Sequence, residues 1–287
     1  MMSEAYAPTK ILRYRTAAEM IAAHPVPSDH YHANGVVLLE DSGLGYDVDF
    51  VSRLTFPPEW KKYGTVNGLT LPPLVWSQGA LRRTQNPLCQ LIRDDAMLMK
   101  TYSELLRIET GFKLLVNDLF PAYRNIDWRN CTFRFTRTEN EVPHVDSFKD
   151  GKPFAPASQK PRVKFFLNVD TQPRIWNVGP TLPDLLKHSG GVLGTSLPND
   201  VNMVCHQVNF SGLMKDVPSV RVEIPPRGIV FANGATVVHQ VVFGLRMVAL
   251  EGFVPRECVP TSEWDHLPGW IEAAGYRVVP VSEGFAA

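Results

Sequence analysis

The hydrophobic positions of this chain change period near residue 120. Over residues 94–120, DDAMLMKTYSELLRIETGFKLLVNDLF, the residues Tyr102, Leu105, Phe112, Leu115 and Leu119 recur at helical steps and share roughly one face. Asp94 and Asp95 suit the positive end of such a helix, and Pro121 stops its continuation. The pattern predicts a helix that covers a core. Upstream, NGVVLLED (34–41) reads as a short buried strand opened by a turn, whereas the prolines of LTFPPEWKKYG (54–64) predict irregular chain. Downstream, NCTFRFTRT, PRVKFFLNVD, VRVEI, RGIVFANG, ATVVHQVVF and RMVALEGFV are short, rich in Val and Phe, and bounded by turn residues. Runs of this kind predict a sandwich or barrel of antiparallel sheets.

Between Asp170 and Arg221 strand patterns thin out, and LPDLLKHSG (182–190) reads as a turn or two of helix. A connection of this length commonly carries function, often as a lid. The expected architecture is one domain over residues 1–287, mainly β with flanking helices. An N-terminal α/β support region (1–125) precedes a β core (130–256), which carries a lid-like insertion at about 171–220, and an extension follows at 259–287.

Charge and composition narrow the partners. Lys+Arg and Asp+Glu both number 29, so no basic excess favours nucleic acid. No stretch approaches the ~18 apolar residues of a membrane span, and MMSEAYAPTKILRYRTAAEM lacks the pattern of a secretory leader. The four cysteines are scattered without a CxxC pair, which argues against a zinc ribbon or disulfide framework and suits a reducing cytoplasm.

The chemistry gathers at RTENEVPHVDSF (137–148), where His144 and Asp146 stand two apart. On extended chain that spacing points both side chains to one side, so both can reach one ion. Alone, the pair is more often chance spacing in a polar loop than a metal site. A third ligand is needed. Of the eight histidines, only His239 lies in a strongly strand-like run, TVVHQVVF. Two histidines and one carboxylate on one barrel face form the facial triad of non-heme Fe(II) oxygenases. Arg246 follows seven positions later, after a Phe243-Gly244 turn; its guanidinium suits a carboxylate, and the alternative is an ion pair with Glu251 or Glu223. By alternation Arg162, Lys164 and Asn168 share one face, either inward toward an anion or outward toward solvent. Arg134 and Arg137 flank the His-x-Asp pair.

These residues resemble the Fe(II)/2-oxoglutarate-dependent dioxygenases, from CTFRFTRTENEVPHVDSF through PPRGIVFANGATVVHQVVFGLRMVALEGF. A closer, partial resemblance is to the Kdo hydroxylases, which act on a 3-deoxy-octulosonic acid sugar. HVDSF and PRIWNVG are similar to that family's HVDAF and RVWRVG blocks. The resemblance implies a double-stranded β-helix (jelly-roll, cupin-like) core, with Fe(II), 2-oxoglutarate and O2 as cofactor and cosubstrates. His144, Asp146 and His239 would hold the metal; Arg246, with Arg134 and Asn168, would bind 2-oxoglutarate; Phe148, Lys164, Trp176 and Arg137 would face the substrate. The implied reaction is hydroxylation of a polar, anionic or sugar-acid substrate, and the carboxylate at Asp146 favours it over halogenation. Three alternatives stay open: a hydroxylase of a soluble amino acid or natural product, a non-catalytic cupin-like barrel binding metal or sugar, and a zinc hydrolase. A lipid-linked sugar would call for a membrane-facing edge at the inner face of the membrane, for which Trp60, Lys61 and Lys62 are the candidates.

Overall fold

The computed structural model describes residues 6–7, 9–58, 74, 76–77, 80–82, 87–123, 125–147, 161–259 and 262–281. The chain opens with strand β1 (Ile11–Thr16), helices α1 (Ala17–Ala22) and α2 (Val26–His32), strand β2 (Val36–Asp41) and a short helix α3 (Val48–Val51). A small hairpin of β3 (Trp76–Ser77) and β4 (Ala80–Leu81) and helix α4 (Pro87–Leu91) lead to the long helix α5 (Asp95–Leu119). Then come β5 (Asp127–Arg134), β6 (Thr138–Glu139), β7 (Arg162–Asn168), β8 (Arg174–Thr181), α6 (Leu182–Lys187), β9 (Ser196–Pro198) and α7 (Val201–Phe210). The chain closes with β10 (Val220–Ile224), β11 (Ile229–Phe231), β12 (Val237–Gly244), β13 (Met247–Phe253), α8 (Glu263–Ala273) and β14 (Arg277–Val279).

Two sheets form the body. The larger runs β1-β2-β11-β7-β13-β5 and the smaller β10-β8-β12-β6. Leaving out β1 and β2, and numbering the rest of these strands one to eight in chain order, the large sheet reads one-eight-three-six and the small sheet two-seven-four-five. Chain neighbours thus alternate between sheets except β8 and β10, which pair within the small sheet, and the closing strand β13 sits between β5 and β7.

Alternation sorts the side chains of the large sheet. Phe133, Phe165, Leu167, Val248 and Leu250 point outward and pack under Leu98, Leu105, Ile108, Phe112 and Val116 of α5. Each such buried side chain contributes about 1.5–3 kcal/mol. Asp94 caps this helix, its carboxylate accepting from the Met97 amide at 2.7 Å. The opposite faces meet between the sheets, where Val36, Phe166, Trp176, Val178, Val230, Val241 and Ala249 form a second core.

A third cluster joins α6, α7 and α8 through Leu182, Leu185, Val201, Val204, Cys205, Leu267 and Ile271. One sequence expectation changes here. Residues 174–181 are not connection but β8, hydrogen-bonded to both β10 and β12 in the small sheet. Pro173, Asn177, Gly179 and Pro180 hide this strand from its pattern. The N-terminal segment joins the large sheet directly, because β2 pairs with β11.

Candidate metal centre

His144 and Asp146 lie in a loop after β6 rather than on a strand. The loop is pinned to β12 by a two-way bridge: the His144 amide donates to the His239 carbonyl at 3.0 Å, and the His239 amide donates to the His144 carbonyl at 2.9 Å. The Asp146 amide donates to the Gly234 carbonyl at 2.6 Å. The chain is extended enough for the i, i+2 rule to hold: Val145, between the two ligands, is buried in the helical cluster. His144, Asp146 and His239 each offer one ligand atom, all within 4.8 Å of one another.

Backbone carbonyls set both imidazole tautomers. His144 Nδ1 lies 2.9 Å from the Val142 carbonyl, and His239 Nδ1 lies 3.0 Å from the Val237 carbonyl. A carbonyl only accepts, so each Nδ1 carries the proton and each Nε2 presents a lone pair. Burial lowers the His239 pKa to about 4 despite Asp146 beside it, so this ring is neutral at pH 7, as a ligand must be. The Asp146 carboxyl is raised by burial, but Lys164, His239 and Arg162 together hold it well below its ordinary range. Lys164 Nζ stands 2.5 Å from Asp146 Oδ2, and Arg162 Nη2 stands 3.5 Å from the same oxygen. Gly234 is required where it is, since a Cβ there would overlap the Asp146 carboxylate.

The other expected site residues divide by face. Trp176 lies between the two sheets, stacked on His239 with ring centroids 5.4 Å apart, and its indole nitrogen is buried without a partner. Arg134 also lies on the inward face of β5, opposite in parity to Phe133 and Phe135, and its Nε is buried and unpaired. Lys164 and Arg162 point inward but engage carboxylates, Arg162 also meeting Glu251 Oε1 at 3.2 Å. Lys164 therefore holds a candidate ligand rather than a free anion site.

Three residues are not brought to the triad. Arg246 has the parity of Val248 and Leu250 and faces outward. Its Nη1 meets Asp170 Oδ2 at 2.7 Å, and its Nε donates to the Leu54 carbonyl at 2.6 Å. Asn168 points inward, but its amide nitrogen donates to the carbonyls of Gln172, Ile224 and Pro225 at 2.9–3.1 Å, so it ties a turn together. Arg137 forms an exposed ion pair with Glu139 at 2.6 Å. Phe148, Trp60, Lys61 and Lys62 lie outside the described residues.

One inward residue escaped the sequence reading. Arg174 on β8 shares the face of Trp176 and Val178, is 2% exposed, and has a buried Nε without a hydrogen-bond partner. Burial, reinforced by Arg134 nearby, lowers its pKa to about 10. Gly244 makes the room, because a Cβ there would overlap the guanidinium. Arg174 is buried and Arg134 partly buried, each with a buried Nε that lacks a partner, and such groups suit an anion. The R-x-W-x-V alternation within PRIWNVG carried this placement.

No protein-family model matches the chain, and no curated protein matches it. Solved structures do. The chain is similar to a Kdo hydroxylase, described as a non-heme Fe(II) alphaketoglutarate dependent dioxygenase, in complex with alphaketoglutarate and Fe(III). The TM-score is 0.61 at 15% identity, over 94% of this chain and 98% of that one. The succinate and Fe(III) complex of the same enzyme gives 0.62 at 16% identity, over 97% and 100%. At these identities the likeness establishes a shared fold.

Proposed function

We propose that this protein is an Fe(II)- and 2-oxoglutarate-dependent hydroxylase built on a double-stranded β-helix. One observation carries the proposal: a 2-His-1-carboxylate set with His239 buried lies on the inter-sheet side that also holds Arg134 and Arg174, whose Nε atoms are buried without partners. The strand orders one-eight-three-six and two-seven-four-five suit a jelly-roll core.

The residues fit the groups they would hold. Each Nδ1 faces a carbonyl and so leaves its Nε2 to the metal, Asp146 is ionised, and three ligands would leave positions open for a chelating 2-oxo acid and O2. When bound, Fe(II) with 2-oxoglutarate and O2 supplies oxidative decarboxylation coupled to hydroxylation of a C–H bond. Everything else falls to the chain. Lys164 occupies Asp146 Oδ2 and leaves Oδ1 for the metal. Arg174, with Arg134, takes the distal carboxylate of 2-oxoglutarate in place of Arg246. The Trp176 indole N–H donates into the same space, and its ring braces His239. Phe166, Val178, Val241 and Ala249 exclude bulk water and so strengthen each charged contact.

The substrate class follows the solved relatives: a polar sugar acid, Kdo-like, free or lipid-linked. Among the described residues no helix is long and apolar enough to cross a membrane, so a lipid-linked acceptor would be met at the surface. The test is succinate release with Fe(II), 2-oxoglutarate and O2, screened over Kdo-bearing acceptors, free amino acids and uncharged sugars. Turnover stimulated by Kdo acceptors and abolished in His239→Ala is expected. Stimulation by amino acids alone would overturn the substrate class, and no succinate with any acceptor would overturn the reaction.

A further inference from the structure

The helical cluster beside the small sheet does more than fill space. Helix α7 is hydrogen-bonded to the metal loop through Asn209, in the last turn of the helix. Its Oδ1 accepts from the Val145 amide at 3.0 Å, and its Nδ2 donates to the Val145 carbonyl at 2.8 Å. Nδ2 also lies 3.4 Å from Ser147 Oγ. One side-chain amide thus satisfies both backbone groups of the residue between His144 and Asp146, as a neighbouring strand would.

The flanking ligands bond to other elements. His144 is bonded both ways to His239, and the Asp146 amide to the Gly234 carbonyl. On the β12 side the chain therefore holds each ligand, and on the opposite side Asn209 holds the residue linking them. The helix itself is anchored: Val201, Val204, Cys205 and Val208 are buried, and Cys205 Sγ lies 3.1 Å from the Ala235 carbonyl, next to Gly234. Val145 is fully buried against this same cluster. A shift of α7 would carry Val145 with it and change the spacing of the His144 and Asp146 side chains.

We infer that Asn209 is a positioning residue for the metal site, and that the insertion bearing α7 is a buttress for the first two ligands. The inference rests on the metal-site assignment proposed above. Residues that orient ligands without touching the metal typically contribute about 10- to 100-fold in metal affinity. The Asn209→Ala variant should lose about that factor for Co(II). Its ligand-field spectrum should change as well, because ligand spacing changes, not only occupancy.

The experiment is anaerobic calorimetry and visible spectroscopy of Co(II) binding to the full chain, with thermal unfolding measured on the same metal-free samples. Ser211→Ala, which removes a hydroxyl bonded to the Val208 carbonyl at the end of the same helix, should bind Co(II) as wild type does. Asn209→Gln keeps the amide chemistry and one methylene too many, so it preserves the fold but displaces Val145; weakened Co(II) binding at unchanged melting temperature is expected. Wild-type affinity and spectrum in Asn209→Gln and in any folded Asn209→Ala would overturn the positioning role while leaving the metal site standing. Failure of the wild-type chain to bind Co(II) would overturn both.

Discussion

The proposal that Arg174 rather than Arg246 clamps the distal carboxylate yields the sharpest contrast. Methionine at either position keeps length and removes charge. At position 174 the loss falls on the ligand. A charge-assisted hydrogen bond is worth about 1.5–3 kcal/mol, and a bidentate guanidinium–carboxylate pair makes two. Retained Arg134 offsets part, leaving about 3 kcal/mol, or about a hundredfold in 2-oxoglutarate affinity. At position 246 the loss falls on the fold. Asp170, with its side chain 4% exposed, would stay buried without its guanidinium. Removing one partner of a buried pair costs about 3–5 kcal/mol. Asp170 also accepts from the Gln172 amide at 3.1 Å, which keeps the cost toward the lower end. At about 2–4 °C per kcal/mol for chains of 150–250 residues, a cost of about 3 kcal/mol lowers the melting temperature by roughly 6–12 °C. Anaerobic calorimetry of 2-oxoglutarate into Mn(II)-loaded protein, paired with thermal unfolding, reads both. The reasoning is refuted if Arg246→Met weakens 2-oxoglutarate about a hundredfold at unchanged melting temperature while Arg174→Met binds normally.

Three further outcomes are expected. Gly234→Ala pushes a methyl group into the Asp146 carboxylate, so divalent-metal binding by calorimetry should weaken by tenfold or more, on the order of a lost ligand-orienting contact; unchanged affinity would mean the carboxylate does not ligate. Gly244→Ala crowds Arg174 from the other side, raising the KM for 2-oxoglutarate with little change in metal affinity, as steady-state kinetics would report. His32, hydrogen-bonded to the Tyr123 hydroxyl at 2.6 Å, has its pKa lowered by burial to about 4. Between pH 6.5 and 4 the unfolded chain binds a proton that the folded chain refuses, so stability falls with pH, by about 2 kcal/mol by pH 5. Urea unfolding of His32→Phe should lose that slope, and an identical slope in both proteins would contradict the assignment.

Much of this arrangement was legible from local pattern. Val- and Phe-rich runs marked β7, β10, β12 and β13 because each buries at least one face, and Asp94 to Pro121 bracketed α5 by capping and chain-stopping chemistry. The grouping of His144, Asp146 and His239 was legible because His239 alone among the eight histidines sat in a strongly strand-like run. What failed was handedness of face. Period two says that Arg246 and Val248 share a side, but not that their side is the outer one; that depends on α5 lying over β13. Asn168 had the correct parity, yet its amide meets carbonyls from Ile224 and Pro225, far away in sequence. The strand bearing Arg174 and Trp176 was masked by Pro173 and Pro180, both tolerated because they sit at its ends. Asn209 carried no local pattern at all, since its partner Val145 is 64 residues away.

The central claim is that His144, Asp146 and His239 hold iron together with 2-oxoglutarate. Anaerobic addition of Fe(II) and 2-oxoglutarate to the purified chain tests it most directly. The account predicts a weak visible charge-transfer band that requires both additions, saturates at one iron per chain, and disappears in His239→Ala of unchanged fold. A folded wild-type protein that shows no such band, or a band that survives the loss of His239, would contradict it.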